Sequence, residues 1–421
     1  MMERRVRVAV PAPFHFPLDY LAPDLDIRPG QRLLVPLGHR RLVGIAMDAP
    51  RNVAADGLNC RPVESCLDLE PLVPADLLAL CRWAAAYYHH PIGEVLAAAL
   101  PASLRAVRKT AADSRRRQSG DVDDDAPSPD PADTNIDALV ATTDQAQVLA
   151  GIEAAGAGFS VHLIEGVTGS GQTEIYLRAI ARVVEGGGQA LLLTPEIGLT
   201  PQLLERFRRR FGARVRAFHS GLTERERRLA WLAARQGRCR VLIGTRSAVF
   251  VPLPELAMLV VDEEHDASFK QQDGFRYSAR DTAIFRARQV GAPVLLGSAT
   301  PCLESLHNAA GGRYRLWQIR ARAQDRRMPA IGLIDMRGRS VRDGLSAPLL
   351  DALQQHTAAG GQALIFINRR GFAPALLCHD CGWVLPCSGC DTRMTLHRLR
   401  ACMICHHCGN QAPIALRCGE C

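Results

Sequence analysis

Residues 160–184 read SVHLIEGVTGSGQTEIYLRAIARVV. An apolar strand runs into a loop with glycines at 166, 169 and 171, and helical periodicity follows. A strand, a glycine loop and a helix in that order form a phosphate cradle. Loop N–H groups and the helix N-terminus both present positive dipole ends to an anion. The loop fits the pattern G-x-x-x-x-G-K-[ST] except at one position, where Gln172 replaces the lysine. Thr173 keeps the hydroxyl that ligates Mg²⁺. Gln172 donates hydrogen bonds but carries no charge, so the backbone cradle survives while the point charge on the β- and γ-phosphates is lost. The expected ATP-binding residues are Gly166, Val167, Thr168, Gly169, Ser170, Gly171, Gln172 and Thr173.

In isolation this loop also reads as a glycine-rich turn, and the surrounding sequence decides between the two. Further apolar runs recur after helical stretches: QALLLTPEIGL, CRVLIGTRSAVF, LAMLVVDEEH and APVLLGSATP. Continuous apolar strands separated by helices predict a parallel α/β sheet. The run at 256–265 ends in Asp262, Glu263, Glu264 and His265. An NTPase needs carboxylates at that place: Asp262 is expected to hold Mg²⁺, and Glu263 to orient or deprotonate the attacking water. GSATP, at 297–301, sets the hydroxyls of Ser298 and Thr300 at a strand end, the edge where open α/β sheets bind ligands.

The chain has 421 residues, enough for two to four domains. No stretch of ~18 uninterrupted apolar residues occurs, so no membrane span is expected and a cytoplasmic location is the default. The net charge of +8 suits a nucleic-acid partner and equally a generic solubilising surface. Residues 1–104 carry strand patterning followed by a helical stretch from about 75. Residues 105–140 pass through a basic cluster into Asp, Pro and Ser, the composition of a flexible linker. Of 14 cysteines, nine crowd into 378–421, where four C-x-x-C pairs occur: Cys378/Cys381, Cys387/Cys390, Cys405/Cys408 and Cys418/Cys421. Each turn presents two thiolates to one ion, so four pairs make two closed Cys₄ zinc sites. Spacing alone does not say which pairs share an ion, and iron–sulfur clusters or redox dithiols use similar pairs.

The loop, the DEEH strand and GSATP, in this order, resemble a superfamily 2 helicase. The stretches LLLTPEIGLTPQ (191–202), FHSGLTERER (218–227), GTRSAVFVPL (244–253) and ALIFINRRGFAP (363–374) further resemble the PriA family of replication-restart helicases. The likeness runs over nearly all of 143–421. FPLDYLAP (16–23) and VPLGHRRLVGI (35–45) are similar to that family's domain that captures the 3′ end of a nascent strand, with Asp19, Tyr20 and Gly38 matching its pocket. Residues 268–281, SFKQQDGFRYSARD, match the family's aromatic-rich DNA-contacting loop. Bases would stack on Phe269, Phe275 and Tyr277 while Lys270 and Arg276 hold phosphates. The resemblance nests the zinc ligands: Cys378, Cys381, Cys418 and Cys421 for one ion, Cys387, Cys390, Cys405 and Cys408 for the other.

The expected fold class is therefore α/β. It comprises a mainly β DNA-end-binding domain (1–104), the linker (105–140), a RecA-like ATP-binding lobe (141–318), the start of a second lobe with ALIFINRR as its first core strand (319–376) and a two-zinc Cys-rich region (377–421). The resemblance implies ATP, Mg²⁺ and two Zn²⁺ as cofactors. It implies branched or single-stranded fork DNA, other primosome proteins, single-stranded-DNA-binding protein and a replicative helicase loader as partners, with no membrane. The implied activity is ATP-dependent 3′-to-5′ unwinding at stalled forks and loading of the replicative helicase. Three departures stand out: Gln172, a linker where the family carries a winged-helix domain, and a second lobe that stops at Cys421 before the motifs bearing an arginine finger. The first and third each point to impaired hydrolysis. The alternatives are a non-hydrolysing fork-binding assembly module and an inactive remnant.

Overall fold

A computed structural model describes the chain except residues 1, 23–24, 55–58, 107–139, 157, 196–200, 323–329, 338, 340, 343–344, 367–374, 391 and 398–400. The expected linker thus lies almost wholly outside the described residues. The described chain forms two compact units, Met1–Arg326 and Arg327–Cys421. No described helix is long and apolar enough to cross a membrane.

The first unit opens with strands β1 (Met2–Ala9), β2 (Leu18–Leu21), β3 (Arg32–Leu37), β4 (Arg40–Ala46), β5 (Arg51–Ala54) and β6 (Ser65–Cys66). They pair antiparallel in the order β2-β1-β4-β3-β6, with β5 on the far half of β1. Alternate residues point inward, so Val6, Val8, Tyr20, Leu33 and Val35 form one small core. Helices α1 (Ala75–Tyr87), α2 (Ile92–Ala99) and α3 (Ala102–Arg105) follow, each entered through a proline, whose fixed φ and missing N–H suit a helix start.

The remainder of this unit alternates helices and strands: α4 (Thr143–Ala154), β7 (Ser160–Gly166), α5 (Gln172–Glu185), β8 (Gln189–Leu193), α6 (Pro201–Phe211), β9 (Val215–Phe218), α7 (Glu224–Arg235), β10 (Val241–Gly244), β11 (Leu256–Asp262), α8 (Ala279–Val290), β12 (Pro293–Ser298), α9 (Leu303–Ala310) and β13 (Arg315–Ile319). Thr142 with Gln145 and Thr223 with Glu226 close capping boxes on α4 and α7. The seven strands pair in parallel in the order β13-β7-β12-β11-β8-β10-β9. Every residue of β8 and β10 is buried, as both faces carry helices.

One face of this sheet packs on α5 and α6 through Ile164, Leu192, Val260, Ile180 and Phe207. The other face, through Leu191, Leu259 and Leu296, shares a core with Leu77, Leu80, Val95 and Leu96 of α1 and α2. The amino-terminal helices are therefore a layer on the parallel sheet. Trp231 of α7, fully buried, donates its indole N–H to the Ala99 carbonyl at 3.1 Å, and Phe285 of α8 stacks on Trp83 of α1 at 3.8 Å.

The second unit holds β14 (Val341–Arg342), β15 (Leu345–Ser346), α10 (Ala347–Ala358) and an antiparallel sheet of β16 (Thr395–His397), β17 (Cys402–Ile404) and β18 (Gln411–Pro413). Of the core strand expected at ALIFINRR (363–370), residues 367–370 lie outside the described residues. Residues 363–366 form no strand, and Leu364 and Phe366 lie exposed. Extended backbone becomes a strand only when a neighbour completes its hydrogen-bond ladder, and no described strand lies beside it.

Trp231→Ala removes a buried ring that joins the amino-terminal helices to the sheet. It should lower stability by about 3–5 kcal/mol in denaturant unfolding, and probes in the two layers should lose structure together.

Candidate nucleotide cleft and zinc module

The parallel register decides what meets at the sheet edge. Strand β12 lies between β7 and β11, aligning Ser298 with Glu165 and Gly297 with Asp262. The glycine loop after β7, the carboxylates after β11 and the GSAT turn after β12 therefore leave one edge together. They enclose a cleft of about 520 Å³ lined by all of residues 166–173, Asp262, Glu263, Ala299, Arg206 and Arg322.

The loop is built as a cradle. Gly169 and Gly171 take φ of 82° and 83°, the left-handed region in which a Cβ is strained. Ser170 is buried and returns its N–H to the Val167 carbonyl at 2.8 Å. Gln145, at the third position of α4, donates its amide to the Ser170 carbonyl at 2.9 Å and ties the loop from below. Gln172 heads α5, and its side-chain amide turns back onto the sheet. It donates to the Ile164 carbonyl at 3.0 Å and to the Ser298 carbonyl at 3.2 Å. The residue in the lysine position is thus hydrogen-bonded to the strand ends.

Asp262 ends β11 and accepts a hydrogen bond from the Tyr176 hydroxyl at 3.1 Å. Burial, with the Glu263 charge beside it, pushes the Asp262 carboxyl up to about 6. A divalent cation there would reverse that shift, because it favours the ionised form. Glu263 has φ of 52°, uncommon for a glutamate, which breaks the strand direction at the cleft. His265 Nδ1 lies 2.7 Å from Ser298 Oγ, which also accepts the Thr300 N–H at 2.9 Å. Behind them Glu264 is buried; it accepts from the Cys302 N–H at 2.8 Å, the Ser305 hydroxyl at 2.9 Å and Arg280 at 3.2 Å. Hydrogen bonds thus fasten the DEEH strand end to the GSATP turn and to α8. Sequence reasoning missed Gln145, Tyr176 and Arg280; only the one-turn spacing from Gln172 to Tyr176 offered a signal.

The aromatic residues expected to stack on bases lie inside the protein in this state. Phe269, Phe275 and Tyr277 are buried, and the Phe275 ring stacks on Tyr277 and His90 and lies near Tyr88 and Phe250. Each aromatic ring gains more by burial against other rings than by facing water, so these faces are closed to bases in this state. Lys270 and Arg276 remain exposed at the hairpin tip, where Lys270 Nζ donates to the Arg276 carbonyl at 2.8 Å. Tyr20 is likewise a core residue, its hydroxyl donating to the Pro36 carbonyl at 3.0 Å. Asp19 is exposed one residue earlier on β2, and Gly38 turns the β3–β4 hairpin at φ of 57°.

Two sulfur clusters occupy the second unit. Cys378, Cys381, Cys418 and Cys421 form one and Cys387, Cys390, Cys405 and Cys408 the other, with the ligand atoms in each within 4.8 Å of one another. Closest Sγ–Sγ distances are 3.5–3.6 Å. Tetrahedral zinc with bonds of about 2.3 Å places sulfurs about 3.8 Å apart, so both donor sets fit Zn²⁺. The Thr392 hydroxyl and the Cys408 amide pull the Cys405 thiol down to about 5, and the Cys381 and Asp380 amides bring Cys378 to about 6. The thiolate, the ligating form, is favoured at those two positions, whereas the neighbouring thiols push Cys408 and Cys421 the other way. Among the described residues, only Met394 and Met403 are buried in this core apart from cysteines.

Comparison with known proteins follows this layout. Residues 7–101 match the 3′DNA-binding domain of PriA, 142–309 the DEAD/DEAH box helicase family and 387–413 the Cys-rich region of the PriA DNA helicase. Two of these three models are PriA domains, so the chain is similar to the PriA family at its amino-terminal strands and in its Cys-rich region. Over 99% of its length it is 36% identical to replication restart protein PriA of Haemophilus influenzae, covering 65% of that protein. The Rickettsia conorii protein of the same name is 33% identical over 99% of the chain and 62% of its own length. The Bacillus subtilis protein is 44% identical over 62% of the chain and 33% of its own length. The chain thus spans from a third to just under two thirds of these relatives.

Two predictions arise here. A Cβ on Gly297 would lie 1.6 Å from the Tyr176 hydroxyl, so Gly297→Ala should cost at least about 1–3 kcal/mol in thermal unfolding. Cys405→Ser should lower zinc, read by metal analysis of the purified chain, from two ions to one.

Proposed function

We propose that this chain is the nucleotide-, zinc- and DNA-binding portion of a replication-restart helicase, with hydrolysis impaired at residue 172. The observation that carries the reading is the meeting of the 166–173 loop with Asp262 and Glu263 in one cleft. In this reading the loop N–H groups and the α5 N-terminus hold the phosphates of ATP. Thr173 and Asp262 hold Mg²⁺, and Glu263 positions the attacking water. Magnesium supplies charge that draws electron density from the phosphoryl oxygens. Gln172 adds no positive charge and has its amide engaged by two carbonyls, so charge developing on the transferred phosphoryl is under-compensated.

The ancestral cycle couples ATP hydrolysis to 3′-to-5′ unwinding at stalled forks. We assign fork DNA as the partner, with Asp19 and Gly38 near the 3′ end and Lys270 and Arg276 on phosphates. For Phe269, Phe275 and Tyr277 to receive bases, the hairpin must open from its buried state; Arg280 and Glu264 link α8, which begins beside that hairpin, to the carboxylate strand. Other primosome proteins, single-stranded-DNA-binding protein and a helicase loader complete the assembly, in the cytoplasm. The two zinc ions are structural, as each has four thiolates and no open position. The engaged Gln172 amide favours a second reading, a fork-binding assembly module that binds nucleotide without turnover.

The test is a titration of a fluorescent ATP analogue with Mg²⁺ into the chain and into Gln172→Lys, with phosphate release followed with and without single-stranded DNA. Both should bind, and Gln172→Lys should bind or turn over at least about tenfold better, the worth of one charge-assisted contact. DNA-stimulated release equally fast in both would overturn the impairment, and absence of nucleotide binding in both would overturn the cleft assignment.

A further inference from the structure

The cleft poses an electrostatic problem. It already contains the carboxylates of Asp262 and Glu263, and a nucleoside triphosphate would add several more negative charges. The residue at 172 is neutral and turned toward the Ile164 and Ser298 carbonyls. A second cation besides Mg²⁺ is needed from elsewhere in the wall.

Arg206 stands in that wall. It lies on α6, a helix anchored to the sheet by the buried rings of Phe207 and Phe211. This helix carries further arginines, but Arg209 is paired with Glu205 at 3.1 Å. Arg206 is exposed, and among the described residues it makes no hydrogen bond or ion pair. An unengaged guanidinium on a fixed helix, facing a loop built of backbone N–H groups, is well suited to a phosphate. Its planar fork binds two phosphate oxygens at once.

We propose that Arg206 is a nucleotide-binding residue that contacts the phosphate chain and supplies the positive charge missing at position 172. This inference rests on the reading of the cleft as a nucleotide site and adds which side chain makes binding there tenable. Arg206 holds the charge from the α6 side, whereas a lysine at 172 would reach from the loop. The two arrangements are interchangeable for affinity.

The experiment compares binding of a fluorescent ATP analogue with Mg²⁺ by the full chain and by Arg206→Ala, Arg206→Lys, Arg322→Ala and the double variant Gln172→Lys/Arg206→Ala. Arg206→Ala should bind about ten- to a hundredfold more weakly, with Arg206→Lys in between. The double variant should recover most of the loss, since the lysine restores the charge. Thermal midpoint and zinc content should stay unchanged in Arg206→Ala, because the side chain is exposed and unengaged. Equal binding by Arg206→Ala and the unaltered chain overturns this inference alone, whatever Arg322→Ala does. Loss of affinity that the double variant does not recover also overturns it. Absence of nucleotide binding by the unaltered chain overturns the cleft assignment itself, and this inference with it.

Discussion

Strand β12 pairs in parallel with β7 on one side and β11 on the other, and nearly everything of functional interest hangs on that ladder. Parallel pairing sends all three strands out of the sheet at the same edge. A loop separated from its carboxylates by about 90 residues of sequence thereby comes to line one cleft with them. The ladder also explains the small residues nearby. Gly297 lies where the Tyr176 hydroxyl crosses to Asp262, and no side chain fits between them. The parallel sheet needs helices on both faces, and the amino-terminal helices supply part of one. The amino-terminal antiparallel strands and the parallel sheet therefore share a core rather than sitting as separate beads.

Electrostatics at this edge are unbalanced in an informative way. Two carboxylates lie in the cleft, one of them pushed up by burial, and the residue expected to oppose them is a neutral amide bonded to backbone. A cradle made of backbone N–H groups does not depend on side-chain identity, so it outlasts the substitution. What a neutral amide cannot replace is long-range charge. The same logic separates the cleft from the zinc module: there the ligands are side chains, and the small core around Met394 and Met403 gives little support without the metal.

Much of the fold and site was legible because the signals are local. Continuous apolar runs separated by helical periodicity read directly as a parallel sheet, and the strand–glycine loop–helix order read as a cradle. C-x-x-C spacing read as zinc, since two thiolates on one turn are a property of four consecutive residues. Less was legible where a residue's surroundings depend on partners distant in sequence. Aromatic and basic residues interleave in 268–281 in the same way whether the rings face DNA or a core. Tyr88, His90 and Phe250, all far away in the chain, make it a core. The stretch at 363–366 reads as a strand by composition, but a strand is a relation between two segments and composition contains only one.

The sequence by itself therefore determined the α/β class, the place of the glycine loop between strand and helix, the carboxylates at the end of β11 and the existence of two thiolate sites. Periodicity and short spacing are written in adjacent residues. The tertiary structure alone decided that Gln172 turns to the Ile164 and Ser298 carbonyls, that Tyr20 and the hairpin aromatics are buried, and that Arg206 faces the cleft. Each of these depends on which surfaces the strand register and helix packing bring within hydrogen-bonding or van der Waals reach.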